Sequence, residues 1–364
     1  MRRIRTAGRL LSAQARAGAG LAVASNPALV GPAARRLLGE PIEEEAEVGG
    51  IGATVFRPAR GTGPWPTAVL YPGVTREGRR HAAFVGFGRA LAATGCLAVV
   101  AEPDGLAVGE LTGETASQAL AAAEAVAARR DVAEGRVALV GVSGGATLAL
   151  CAAAAGGLSH RVTSVLVMAP VCNLQEALRF VTTGFRREDG AFVPFATRSF
   201  FQLVSARSVV ASLPRGGDRD AALELLRSLP DYGPDPLEAL GGLAESTSDP
   251  GVRATLDLFG NRDPERFDEL FEAIPSVARA SLTSLSAVRG AAQIAAPVEL
   301  VVAREDKYIP LSDALAFVSS CPTARLTILD SLQHAVPHFA VEAARDLARL
   351  NGAVVRALAA AYSR

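Results

Sequence analysis

Short apolar runs recur along the chain, separated by glycine, proline and polar residues. Residues 43–48 and 51–58 read as two strands of a hairpin turning at Gly49-Gly50. Residues 67–71, 97–101, 137–140, 162–169, 297–303 and 325–329 carry further mostly apolar runs. Such runs, without strict alternation, are the pattern of strands covered on both faces. Between them lie stretches rich in alanine and leucine, at 81–94, 114–130, 146–155, 312–320 and 336–361. These read as helices, with Thr112 or Thr115 available to cap the second. Repeated strand-then-helix order predicts an α/β fold: a mostly parallel central sheet with helices on both faces.

The rhythm breaks between 173 and 290, where no clear strand is visible. Asp235-Pro236, Asp249-Pro250 and Asp263-Pro264 mark helix starts, since aspartate caps free N–H groups and proline at the first helical position loses no bond. The segment is therefore expected to be an all-helical insertion. Nine of the 14 phenylalanines fall between Phe180 and Phe271. They either form the insertion's own core or line an apolar pocket.

Charge narrows the function. Net charge is +0 with 20% charged residues, which argues against a nucleic-acid partner. Cys96, Cys151, Cys172 and Cys321 lie far apart, with no C-x-x-C pair and no clustered histidines. They read as free, mostly buried thiols in a reducing, cytoplasmic setting; no metal site and no cofactor are expected. Residues 1–39 hold seven arginines and no acidic residue. On a helix, Arg2, Arg5, Arg9 and Arg16 share a sector of about 60°. This segment is either a basic amphipathic helix with weak affinity for a membrane surface, or a helix docked on the core or a frayed extension.

Gly141-Val142-Ser143-Gly144-Gly145 joins the apolar run at 137–140 directly to a helical stretch. Strand, Gly-x-Ser-x-Gly, helix is the setting of a nucleophile elbow, which exposes a serine hydroxyl above the sheet. The Gly144 N–H would face a developing oxyanion from a helix N-terminus. Asp306 and His334 follow two later strands, so three groups stand at strand C-terminal ends, where open parallel sheets bind ligands. A serine needs a base to become a nucleophile, a neutral histidine can take the proton, and a buried carboxylate fixes the histidine tautomer. Glu305 competes with Asp306, and His338 with His334; His81 and His160 read as surface residues. The turn after residue 71, Pro72-Gly73-Val74-Thr75, offers a second oxyanion donor, Val74 N–H, with Thr75 behind it.

On these residues the chain resembles the α/β-hydrolase superfamily, and within it the carboxylesterase and dienelactone-hydrolase-like members. Residues 141–145 match the elbow, 304–310 resemble the acid loop, and His334 matches the histidine after the last strand. The order Ser, Asp, His is that superfamily's order. Two positions depart: Gly144 is smaller than the residue often found after the serine, and Pro72 stands where histidine is frequent. The resemblance implies a hydrolase core at 41–172 and 291–364, a cap at 173–290, and an N-terminal extension at 1–40 that matches nothing. It implies hydrolysis of a small-molecule carboxylic ester, with an apolar acyl or alcohol part, through an acyl-enzyme on Ser143. The same triad also serves thioesterases, acyltransferases and peptidases, and the same fold serves non-catalytic binding proteins.

Overall fold

The computed structural model describes residues 39–233, 235–337 and 344–361. The Arg-rich segment and His338 thus lie outside the described residues. The chain enters through an antiparallel pair, β1 (Ile42–Val48) and β2 (Ile51–Arg57). Its turn is Gly49-Gly50, both at positive φ, 58° and 85°. Glycine adopts that conformation without a Cβ clash, and the twist of such a turn matches that of the strands. Then follow β3 (Trp65–Tyr71), β4 (Leu97–Ala101), β5 (Val132–Val142) and β6 (Val162–Met168). Helices α1 (Ala82–Ala93), α2 (Gly113–Ala127) and α3 (Gly144–Ala154) connect them.

Between β6 and the return to the sheet, the chain builds a separate body. It holds α4 (Leu174–Thr183), a hairpin of β7 (Phe185–Glu188) and β8 (Ala191–Pro194), then α5 (Ser199–Ala211) and α6 (Gly217–Ser228). Next come α7 (Glu238–Ser246), α8 (Pro250–Gly260), α9 (Phe267–Ala273) and α10 (Ser276–Leu285). The sheet resumes with β9 (Val298–Ala303), α11 (Leu311–Ser320) and β10 (Ala324–Leu329). A small hairpin, β11 (Leu332–Gln333) and β12 (Val336–Pro337), precedes α12 (Ala344–Ala361).

The main sheet has eight strands in the order β1-β2-β4-β3-β5-β6-β9-β10. β1–β2 and β2–β4 are antiparallel; every later pair is parallel. Every residue of β4 and β9 is buried, so these strands need no polar alternation. Alternate side chains still serve opposite faces. Val69 and Tyr71 join the cluster under α2, α3 and α11, while Ala68 and Leu70 join the one under α1. α12 covers the same side as α1 with Leu350, Ala353 and Val354. Among the described residues, no helix is long and apolar enough to cross a membrane.

Three expectations change in detail. β5 begins at Val132, well before the apolar run at 137–140. Its first half passes through Glu134 and Gly135, both at positive φ, and the register shifts at Val137/Ala138. The insertion is not all helix, because Asp189-Gly190 turns a two-stranded hairpin, again with both residues at positive φ. Residues 336 and 337 pair with 333 and 332 rather than opening the last helix, which is described from Ala344.

The insertion has its own apolar core, in which Phe180, Phe259, Phe267 and Phe271 are buried. Arg179, 1% exposed, sits inside it with its guanidinium 4.4 Å from the Phe267 ring centroid and 2.7 Å from Asp268. Of the three Asp-Pro signals, Asp249 caps α8, accepting from the N–H groups of Gly251 and Val252 at 2.8 and 2.9 Å. Asp235 and Asp263 instead close short turns onto Leu237 N–H and Glu265 N–H, just ahead of α7 and α9.

Candidate active site

Ser143 sits between β5 and α3 with φ 53° and ψ −122°. A non-glycine residue in that region is strained by about 1–3 kcal/mol and holds only where its surroundings dictate it. Its N–H donates to Met168 O on β6 at 2.8 Å, and its carbonyl accepts from Ala146 N–H at 2.9 Å to start the helix. The flanking glycines are obligatory. A Cβ on Gly141 would come within 2.3 Å of Gly145 O, and one on Gly145 within 2.1 Å of Pro72 O. Strand, turn and helix therefore pack backbone to backbone, and the serine side chain projects away from the sheet.

The β9–α11 loop presents Asp306. Its Oδ1 accepts from the N–H groups of Tyr308 and Ile309 at 2.7 and 3.2 Å, which fixes the carboxyl plane. Oδ2 then meets His334 Nδ1 at 2.8 Å. The competing acid, Glu305, is exposed. His334 occupies the turn of the β11–β12 hairpin at φ 53°, a region in which histidine is enriched over most residues. The base of that hairpin is clamped by Asp346 of α12, which accepts from the N–H groups of Asp330 and Ser331 at 2.6 and 2.7 Å.

His334 Nε2 lies 2.9 Å from Ser143 Oγ. Asp306 offers only acceptor oxygens when ionised, so Nδ1 must donate to it, leaving Nε2 free to accept the serine proton. Three residues up to 191 positions apart in the chain thus form one hydrogen-bonded line. His160 is exposed, and His81 caps α1, its Nδ1 accepting from Ala83 N–H at 3.3 Å. Neither belongs to the site.

The turn after β3 passes beside Gly144. Val74 Cγ2 would lie 3.3 Å from a Cβ built on Gly144, so Val74 already fills the space a larger residue there would need. Neither the Val74 N–H nor the Gly144 N–H has a hydrogen-bond partner among the described residues. The segment after the turn is tied down by Glu102, which follows β4 and whose Oε2 accepts from Arg79 N–H at 2.5 Å. The alternative donor, Thr75, turns its hydroxyl to Glu77.

A narrow cavity of about 60 Å³ opens over Ser143. Its floor is Ser143, Gly144 and Val74; its roof comes from the insertion, through Leu178, Phe201, Val204 and Leu282. Both readings of the phenylalanines hold, since Phe200 and Phe201 line this cavity while four others fill the insertion's core. A wider, more polar hollow of about 520 Å³ adjoins it, sharing Val74 and Phe200 as walls. Phe200 stacks on Tyr232 at 5.7 Å.

Sequence reasoning assigned no role to Tyr308, although it stands in the acid-loop stretch. Its ring lies 4.6 Å from that of His334, and burial pushes its hydroxyl up to about 12. Thr197 Oγ1 donates to Tyr308 O at 2.8 Å, so the insertion grips the acid loop directly. Asp313 was missed too. Its carboxylate accepts from the N–H groups of Cys172 and Asn173 at 2.7 and 3.0 Å, pinning the insertion's first residues to α11. Burial pushes Asp313 up to about 7 despite those two donors. Among the described residues, no three His, Cys, Asp or Glu side chains come together to hold a metal ion.

No family model matches the chain, and no curated protein matches it. Solved structures do. Est1E from Butyrivibrio proteoclasticus superposes with a TM-score of 0.51 at 13% identity, covering 89% of this chain and 100% of that one. Dipeptidyl peptidase 4 from Porphyromonas gingivalis superposes with a TM-score of 0.50 at 14% identity, covering 90% of this chain but 37% of that one. With the strand order and the connection geometry described above, these likenesses establish that the chain has the α/β-hydrolase fold.

Proposed function

We propose that the protein is a serine hydrolase of carboxylic esters. The observation that carries this reading is the line from Ser143 Oγ through His334 to Asp306, at 2.9 and 2.8 Å. In the proposed reaction His334 Nε2 takes the proton from Ser143 as Oγ attacks the ester carbonyl. Asp306 holds the imidazole by its Nδ1–H and stabilises the imidazolium. The N–H groups of Gly144 and Val74 receive the oxyanion, each worth on the order of 3 kcal/mol in the transition state. His334 then gives its proton to the leaving alkoxide, and the alcohol departs. Water, deprotonated by the same histidine, cleaves the acyl-enzyme and regenerates Ser143.

The segment between β6 and β9 acts as a cap, and its apolar roof supports an apolar group on the substrate. Short nitrophenyl alkanoates provide the test. Wild-type protein should release nitrophenol with saturation kinetics, and Ser143→Ala should not. Equal rates for the two proteins would refute the nucleophile.

A further inference from the structure

Three hydroxyls besides Ser143 and Tyr308 line the cavity: Thr147, Ser205 and Ser208. Two are already committed. Thr147 Oγ1 donates to Val171 O at 2.9 Å and accepts from Val171 N–H at 3.1 Å. Ser208 Oγ donates to Val204 O at 2.7 Å and accepts from Leu111 N–H at 3.0 Å. Ser205 differs. It is 8% exposed, it lines the cavity, and its hydroxyl has no hydrogen-bond partner among the described residues. A serine inside a helix commonly bonds the carbonyl four residues back. Ser208 and Ser212 do so on this same helix, to Val204 O and Ser208 O. No such bond ties Ser205 to Phe201. Although the residue is mostly buried, its hydroxyl is left to the cavity it lines, where a substrate atom can meet it in place of water.

The two adjoining spaces divide the substrate. The alcohol of an ester leaves first, while the acyl group stays bonded to serine. A departing group needs an open route, which the hollow of about 520 Å³ provides. The acyl group then occupies the cavity of about 60 Å³, which admits only a short one. Apart from Ser205, the polar residues lining that cavity are the reacting pair, Gly144 with its N–H, Tyr308, and Thr147 and Ser208 with their engaged hydroxyls; the remaining walls are apolar.

We infer that Ser205 is a specificity-determining residue, whose hydroxyl donates to an oxygen carried on a short acyl group. This rests on the ester-hydrolase reading above and refines it: the favoured substrates are short hydroxy-, oxo- or alkoxy-acyl esters over plain alkanoates of the same length. A site that uses such a bond discriminates against the analogue that lacks the oxygen, because an apolar acyl group displaces water from the hydroxyl without replacing its hydrogen bond.

The test compares nitrophenyl methoxyacetate with nitrophenyl butanoate as a ratio of kcat/KM, for wild type and variant. Dividing one ratio by the other cancels the intrinsic reactivity of the two esters. Ser205→Ala should lower the methoxyacetate-to-butanoate ratio by about tenfold or more. Ser205→Cys, nearly isosteric but a weak donor, should lower it in the same direction, and Ser205→Thr should restore most of it. A ratio that stays within about twofold in both Ser205→Ala and Ser205→Cys overturns the inference, given variants that a fluorophosphonate still labels at the wild-type rate. Failure of wild type to hydrolyse either ester, with Ser143 unlabelled, would instead overturn the ester-hydrolase reading and this inference with it.

Discussion

The two sides of Ser143 are built by different means. Beneath it, the sheet edge is specified by backbone: Gly141 and Gly145 leave no room for a Cβ, and Ser143 N–H is tied to a neighbouring strand. Above it, the insertion is specified by side chains: Phe201 and Leu282 face the cavity from the insertion's own apolar core, while Phe200 and Val204 pack against the cluster of the sheet. A backbone-defined half tolerates almost no change, and a side-chain-defined half can be re-cut without losing the fold. In the proposed enzyme, reactivity is therefore fixed below and selectivity adjustable above.

Substitutions on the lower side should have the largest effects. Ser143→Ala should cut ester turnover by at least about 10⁴-fold in a protein that melts near the wild-type temperature, as followed by nitrophenol release and calorimetry. Asp306→Asn comes next. An asparagine oxygen can still accept from Tyr308 N–H, which leaves its NH₂ facing His334 Nδ1. Nδ1 must then accept, Nε2 carries the proton, and Ser143 loses its base. A fall in kcat of about 10³–10⁴-fold with the fold intact is expected.

Gly145→Ala attacks the backbone half directly. Its Cβ would overlap Pro72 O and Tyr71 O, so β3 and α3 must separate. A loss of about 3 kcal/mol or more is expected in denaturant titration, which would appear as a large drop in Tm. Phe201→Ala, by contrast, acts on the roof. It should shift preference toward longer acyl chains by about tenfold in relative kcat/KM, read from a chain-length series of nitrophenyl esters. If Phe201→Ala abolished all activity while Gly145→Ala were silent, the division between the halves would be wrong.

The smallest effect belongs to the seam. Asp313 joins the two halves and is raised to about 7, above the ordinary aspartate value near 3.9. Between roughly pH 4 and 7 the unfolded chain has released this proton and the folded chain retains it. Raising pH through that window therefore lowers stability, by up to one proton's worth of slope. Asp313→Asn should remove that component from a plot of unfolding free energy against pH.

The backbone half was largely legible in the sequence for the same reason that it is intolerant. Glycines two residues either side of Ser143 are local signals, and Gly49-Gly50 marks its hairpin directly. Thr112 and Thr115, between which the sequence left the cap open, act together: each hydroxyl accepts from the other's N–H at the start of α2. Asp306 and His334, which the fold brings to Ser143, stand out in the sequence because strand ends are visible as the close of apolar runs. The first half of β5 does not, because Glu134-Gly135-Arg136 breaks the apolar pattern and the strand bulges there, Val132 pairing with Trp65 before the register resumes at Val137. The β7–β8 hairpin was overlooked although Asp189-Gly190 is a strong turn signal; each strand is four residues long, and β7 carries Arg186, Arg187 and Glu188 in a row, with no alternation. Ser205 and Asp313 could not be found from sequence, since what singles them out is the presence or absence of partners supplied by distant segments.

The central claim is that His334 and Asp306 make Ser143 a nucleophile. Intact-mass spectrometry after treatment with a fluorophosphonate, followed by peptide mapping, tests it most directly. One phosphonyl group per wild-type chain, mapped to Ser143, with labelling lost in Ser143→Ala and severely slowed in His334→Ala, is the predicted result. Folded wild-type protein that stays unlabelled, or that is labelled at another residue, would contradict it.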